Sequence, residues 1–206
     1  MAETIILDMN HPAVQHLCQK DKRLAKVISM VGTITYEPHD DGYSFLIHEI
    51  IEQMLSIQAG AKIYSRLIEL CNGVITPTTV IEQSDEMIKN IGTSRTQVQY
   101  IKGITKAVID GELNFTELSA LSDEGVMKKL TSFKGIGQWT AKMYLIFVLN
   151  RQDILPYEDV AFLQSYKWIY KTEDCSKDSI KNKCKKINVK NGNHIHLLLR
   201  AFYIEH

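Results

Sequence analysis

Leu130-Thr-Ser-Phe-Lys-Gly-Ile-Gly-Gln-Trp-Thr-Ala-Lys142 is the stretch on which the fold turns. One apolar-periodic segment, capped at Ser122-Asp123-Glu124, ends near Leu130, and another runs from about Gly137 to Leu149. Between them, Gly135-Ile136-Gly137 sets two glycines one residue apart, which permits positive φ and close backbone approach in a tight turn. The second helix then begins at once and presents the N–H groups of its first turn. Such a terminus binds a phosphate through those donors and its dipole, without reading bases. A bare G-x-G between helices would favour an ordinary αα-hairpin with a glycine turn.

Outward from the hairpin, helical periodicity continues almost throughout. Residues 43–57 place Phe45, Leu46, Ile50, Met54 and Ile57 at helical spacing, and residues 60–71 continue with Ile63, Leu67, Ile68 and Leu70. Thr76-Pro77-Thr78 and Thr93-Ser94-Arg95 are helix starts, and Asp110-Gly111 is a stop. Further helices are predicted over 12–29, 160–170, 177–187 and 193–204. Only Thr4–Leu7 and Gly32–Tyr36 read as extended. The pattern predicts an all-α, two-lobed helical globule of about ten helices. It forms a single domain over 1–206, with about 43–150 as the hairpin-containing lobe and about 1–42 plus 151–206 as the second.

Composition narrows the class. The 206 residues are 45% hydrophobic with zero net charge, ordinary for a globular protein. No apolar run approaches the roughly 20 residues that span a bilayer. The N-terminus carries acids early and lacks a basic n-region followed by an apolar stretch, so an intracellular protein without a secretory signal is expected. Cys18, Cys71, Cys175 and Cys184 are irregularly spaced, with no C-x-x-C pair, which points to reduced thiols rather than a zinc or iron–sulfur site. The seven histidines form no convincing H-x-x-x-H pair, and His194 and His196 read as surface groups. Charge is uneven: residues 1–54 hold four Lys/Arg against eight Asp/Glu, and residues 166–190 hold eight lysines against three acids. That asymmetry permits a basic face on a neutral protein.

The match to a known pattern extends well beyond the glycines. Phe133-Lys-Gly-Ile-Gly-Gln-Trp-Thr-Ala141 resembles the helix-hairpin-helix of base-excision DNA glycosylases, the HhH-GPD superfamily. Leu155-Pro156-Tyr157-Glu158-Asp159 supplies the aspartate that follows the hairpin there. Ile51–Ile57, Ile91–Tyr100 and Asp110–Leu113 are similar to segments that precede the hairpin. The nearest branch by this resemblance is the 3-methyladenine DNA glycosylase II type, which also has a tryptophan just after the hairpin, where Trp139 stands.

The resemblance implies a monofunctional DNA glycosylase that hydrolyses the N-glycosidic bond of alkylated purines flipped out of damaged double-stranded DNA. The alternatives are a glycosylase for other damaged bases and a non-catalytic DNA-binding module. Asp159 is the implied catalytic aspartate, an anion that stabilises positive charge on the sugar and orients or deprotonates water; its purely structural alternative is the N-cap of the run Val160-Ala161-Phe162-Leu163. Glu158 is the neighbouring competitor. Trp139, Met143 and Tyr144 are implied for the base pocket. Lys134, Gly135, Gly137, Thr140, Gln53 and Met54 are implied for DNA binding. Met54 stands where the superfamily carries an intercalating wedge, though its spacing equally suits a core position. Backbone carbonyls of Thr131, Phe133 and Ile136 are implied to bind a structural Na+ or K+, with no other cofactor required and no iron–sulfur cluster. Strand-nicking relatives carry a lysine at the position of Trp139; Lys134 and Lys142 do not occupy it, so no AP lyase activity is expected. A monomer is expected. The chain departs from the pattern at Lys134, which replaces a proline, and at Ile187–His194, which replaces a Trp-Pro-aromatic-Arg stretch. Phe202 or Tyr203 is left to supply the last pocket aromatic.

Overall fold

The computed structural model describes residues 4–187. The predicted helix over 193–204, and with it His194, His196, Phe202 and Tyr203, lies outside the described residues. In chain order, the elements are β1 (Ile5–Leu7), α1 (Pro12–Lys20), α2 (Lys22–Val31), β2 (Ile34–Tyr36), α3 (Gly42–Glu52) and α4 (Ile57–Leu70). Then follow α5 (Pro77–Ile81), α6 (Asp85–Asn90), α7 (Arg95–Ile109), α8 (Phe115–Ala120), α9 (Asp123–Thr131), α10 (Gln138–Phe147), α11 (Val160–Tyr170) and α12 (Lys177–Ile187). The fold is all-α, as expected from the periodicity, with twelve helices among the described residues. Among the described residues, the one small sheet is an antiparallel pair in which Ile5, Ile6 and Leu7 face Tyr36, Thr35 and Ile34. Among the described residues, no helix is long and apolar enough to cross a membrane. The four cysteines form no disulfide.

Side-chain caps decide where helices begin. Ser94 accepts from Gln97 N–H, Ser122 from Gly125 N–H and Asp159 from Phe162 N–H, each satisfying a first-turn donor. Two caps overrule the apolar periodicity. Asp21 accepts from Arg23 and Leu24 N–H, which splits the single helix expected over 12–29 into α1 and α2. Ser56 accepts from Ala59 N–H and starts α4 on Ile57, so the helix expected over 43–57 stops at Glu52.

The chain divides into two compact units, one of them His39–Val148 and the other formed by what precedes and follows it. In His39–Val148, α3 packs on α4, α7 and α10, and α10 packs on α9. Leu46, Ile47, Ile50 and Ile51 of α3 are fully buried, each burial contributing roughly 1.5–3 kcal/mol. Tyr43 and Thr105 hydroxyls bond at 2.7 Å inside this core. In the other unit, α1 packs on α2 and α12, and α2 packs on α11, around Val14, Leu17, Leu24, Phe162 and Ile180.

Candidate functional site

The hairpin is built from its backbone outward. After α9, Phe133 N–H donates to Leu130 O at 3.1 Å and Ile136 N–H donates to Phe133 O at 3.2 Å, closing two successive turns. Gly135 between them has φ +91°, a conformation that L side chains rarely adopt. A Cβ there would lie 2.5 Å from Cγ of Tyr100 on α7, so the turn also needs glycine for space. Ile136 is buried and plugs the turn into the core. Gly137 is extended (φ −90°, ψ 177°), is the N-cap of α10 and provides no side-chain cap. Gly137 and Gln138 are exposed, as is Lys134, and Lys128 and Lys129 close the last turn of α9 nearby. An exposed, uncapped helix start with lysines around it has the chemistry to hold a phosphate.

A second loop is tied to this turn. Gln53 Nε2 donates to the Gly135 carbonyl at 2.7 Å. The next residue, Met54, has φ +62° and is 102% exposed. Its placement in the core is therefore excluded: α3 has already ended, and the side chain stands in solvent. Leu55 and Ile57 are also exposed beside it, giving a small apolar projection. A non-glycine residue in the left-handed region is strained and persists only where its surroundings fix it. Here Gln97 Nε2 donates to the carbonyls of Ile50 and Ile51 at 3.1 and 2.9 Å, fixing the end of α3 from below. Sequence reasoning missed the parts played by Gln97, Tyr100, Leu55 and Ile57. The Ser94-x-x-Gln97 capping box was legible, but the second use of the Gln97 amide was not.

Residues after the hairpin divide by helix face. Trp139 is half-buried, whereas Thr140, Met143 and Tyr144 are 3%, 2% and 1% exposed. Tyr144 packs edge-on against Phe45 at 6.1 Å and stacks with Phe115 at 6.3 Å. Burial pushes its hydroxyl pKa upward. Tyr144, expected in a base pocket, is thus a core residue of its unit, and Met143 is buried with it. The Thr140 side chain is likewise buried, which leaves that residue only its backbone for an external partner.

Asp159 belongs to the other unit. Asp159 N–H donates to Pro156 O at 2.9 Å, and its carbonyl accepts from Leu163 N–H at 3.0 Å. Asp159 is 7% exposed, and its Oδ1 accepts from Phe162 N–H at 2.7 Å. The carboxylate therefore sits in a fixed orientation at the positive end of the α11 dipole. Glu158, its competitor in the sequence, turns to Lys177, with Oε1 3.6 Å from Nζ. Both expectations for Asp159 concern one geometry, since a helix cap is also a way of holding an anion still.

The carbonyls expected to hold a monovalent cation, at Thr131, Phe133 and Ile136, fit that chemistry. Thr131 is in the last turn of α9, where carbonyls lack intrahelical partners. The Phe133 carbonyl accepts one bond from Ile136 N–H and retains a second lone pair. Neutral oxygens of this kind suit a hard cation.

A family model described as HhH-GPD superfamily base excision DNA repair protein matches residues 47–189, a span that holds both the hairpin and Asp159. The chain is 30% identical over 164 residues to DNA-3-methyladenine glycosylase 1 of Schizosaccharomyces pombe, covering 76% of this chain and 71% of that protein. Among solved structures it is similar to a DNA-3-methyladenine glycosidase from Bacillus halodurans, with a TM-score of 0.82 and 31% identity over 96% of this chain and 91% of that one. It is also similar to the S. pombe 3-methyladenine DNA glycosylase Mag1 in complex with abasic DNA, with a TM-score of 0.78 and 26% identity over 93% and 95% of the two chains.

Proposed function

Because the chain belongs to the HhH-GPD superfamily of base excision DNA repair proteins, we propose that it is a monofunctional glycosylase of the 3-methyladenine II type, acting on alkylated purines in damaged double-stranded DNA. The observation that carries the chemistry is Asp159, buried at the start of α11 and oriented by the Phe162 N–H. Substrate class is supported by the names of the relatives, which are 3-methyladenine glycosylases.

In this reading Gly135, Gly137 and the first turn of α10 hold a backbone phosphate, with Lys134 adding charge and Thr140 contributing through its backbone alone. Met54 enters the base stack as the target nucleotide leaves it. Gln53 holds that loop to the hairpin, so both elements dock together. An alkylated purine is cationic, and the face of Trp139 attracts a cation. The C1′–N bond breaks with its electron pair going to the base, which leaves neutral and needs no proton. The sugar becomes oxocarbenium-like, and the Asp159 anion stabilises it. A water oxygen then bonds to C1′, and its proton passes to the Asp159 carboxylate. With Trp139 in place of a lysine, no amine is positioned to form a Schiff base, so the abasic strand stays intact. The carbonyls of Thr131, Phe133 and Ile136 would hold a Na+ or K+, whose charge would draw a phosphate to the turn. The protein acts as a monomer on this reading.

Free-base release from methylated duplex DNA tests the proposal. Asparagine caps helices as well as aspartate does, so Asp159→Asn keeps α11 while removing the anion. Release should fall by roughly 10²–10⁴-fold, the usual contribution of a general base. Equal release by both proteins would remove Asp159 from the mechanism. No release from any lesion, with DNA binding retained, would make the chain a binding module. Borohydride should trap no covalent enzyme–DNA adduct; a trapped adduct would overturn the assignment of Trp139.

A further inference from the structure

The last turns of α3 carry His48-Glu49-Ile50-Ile51-Glu52, and the chemistry above uses none of its three ionisable side chains. His48 and Glu52 are one helical turn apart, and Glu49 lies three residues before Glu52, so the three share a face. One donor atom from each lies within 4.8 Å of the others. We propose that His48, Glu49 and Glu52 form a binding site for one divalent transition ion, of which zinc is the type.

Four features carry this. First, His48 Nε2 and Glu52 Oε1 are 3.3 Å apart, while Glu49 Oε1 lies 3.9 Å from the other ring nitrogen, Nδ1, and a ring rotation within the cluster would bring it to the same ion. Two ligands at about 2.0–2.1 Å from a tetrahedral zinc ion are separated by roughly 3.4 Å, so the His48–Glu52 pair already has the spacing of shared ligands. Second, Glu49 is 9% exposed and its Oε2 has no hydrogen-bond partner. A buried carboxylate oxygen left unpaired is costly, and a cation removes that cost. Third, the ligands are braced by α4. Tyr64 stands edge-on to the His48 ring at 4.5 Å and 83°, and Glu52 lies so close to Gly60 that a Cβ there would be 2.8 Å from its Cγ. Fourth, the site is at the C-terminal end of α3, where the helix dipole favours a cation. One imidazole nitrogen with two carboxylates suits zinc, manganese or iron better than calcium or magnesium, and zinc is bound more tightly than manganese or iron(II) by such donors. The remaining positions would go to solvent. An ion here would fix the turn from which Gln53 and Met54 follow, and would cancel carboxylate charge beside a phosphate-docking surface. That last consequence rests on the function proposed above; binding of the ion does not.

The test uses the whole protein without DNA, so its outcome is independent of any glycosylase activity. Chelator-treated protein is titrated with Zn2+ by calorimetry and in competition with a chromophoric chelator, beside His48→Gln and Glu52→Gln. Both positions are half-buried, and thermal melts of the variants establish that they fold. Wild type should bind one equivalent that each variant holds at least tenfold more weakly. Co2+ should give ligand-field bands of a nitrogen–oxygen site without a thiolate charge-transfer band. Zinc affinity equal in all three proteins, no zinc binding by wild type, or a thiolate band would overturn the site and leave a histidine held between two carboxylates only.

Discussion

Gly135→Ala should lower stability by about 4 kcal/mol through two separable costs. Positive φ at a residue with a side chain costs about 1–3 kcal/mol, and Gly135 sits at +91°. The added methyl would stand 2.5, 2.6 and 2.7 Å from Cγ, Cδ2 and Cβ of Tyr100. The ring can pivot away, but Tyr100 Cβ is fixed by the backbone of α7. The hairpin or α7 must therefore shift by some tenths of an ångström, and overpacking of this kind costs about 1–3 kcal/mol. Their sum is large beside a total stability of roughly 5–15 kcal/mol. At about 2–4 °C per kcal/mol for a chain of this size, the melting temperature should drop by roughly 10 °C. Gly137→Ala is the internal control, because φ is −90° and no atom lies within 4 Å of the added Cβ. Its stability cost should not exceed about 1 kcal/mol, the difference between glycine and alanine at an N-cap. Its methyl would still crowd a phosphate on the start of α10, so DNA affinity should fall about tenfold, one charge-assisted hydrogen bond being worth about 1.5–3 kcal/mol. Thermal and urea melts followed by circular dichroism, with DNA titrations, measure both quantities. A Gly135→Ala melt within about 3 °C of wild type would refute the packing argument, and unchanged DNA affinity in Gly137→Ala would refute the docking one.

Two further changes have definite signs. Met54→Gly should alter stability by less than about 1 kcal/mol, because relief of the left-handed conformation is offset by the freer unfolded chain, while base release falls; undiminished release would remove Met54 as the wedge. Asp21→Ala should cost about 2 kcal/mol at neutral pH, since it removes the cap of α2 and the partner of Lys183 at 3.1 Å. Burial tends to raise the Asp21 pKa, but the Leu24 N–H, Lys183 and the Arg23 N–H outweigh it and hold the value below that of a free aspartate. A depressed native pKa stabilises above the unfolded value of about 3.9 and ceases to do so as pH falls through the native one. Wild-type and variant melting curves should therefore converge below about pH 4, and curves that stay parallel down to pH 2.5 would count against the cap's charge as the cause.

How far the molecule could be read from its residues depended on the range of the signal. Ser94, Ser122 and Asp159 each find a partner three positions on, and the starts of α7, α9 and α11 followed from that. Gly135 and Gly137 stood out for the same reason, their spacing being local. Asp21 and Ser56 are caps of equal quality, but apolar periodicity runs across both and reads as unbroken helix. Tyr144 shows another limit: its position one turn beyond the hairpin says nothing about Phe45 and Phe115, which enclose it.

Met54 is the deepest case, because its conformation is decided by partners 43 to 81 residues away (97 − 54 and 135 − 54). Helical spacing puts it on the same apolar face as Ile50, and the Ser56 cap two residues on marks the start of α4 without saying how Met54 itself is turned. The helix ends instead because amide donors arrive from elsewhere: Gln97 takes the last buried carbonyls of α3, and the Gln53 side chain leaves to bind Gly135. Strain at a left-handed methionine is tolerable only while these three bonds hold. The same Gly135 whose amide conformation makes the hairpin turn thus offers the carbonyl that steadies the exposed methionine. On the proposed function, phosphate docking and stack insertion are in this way properties of one hydrogen-bonded unit rather than of two motifs 81 residues apart in the chain. A substitution at the turn is felt at the wedge without any change to the wedge itself, which is the physical reason for expecting Gly135→Ala to lose base release beyond the fraction that unfolds.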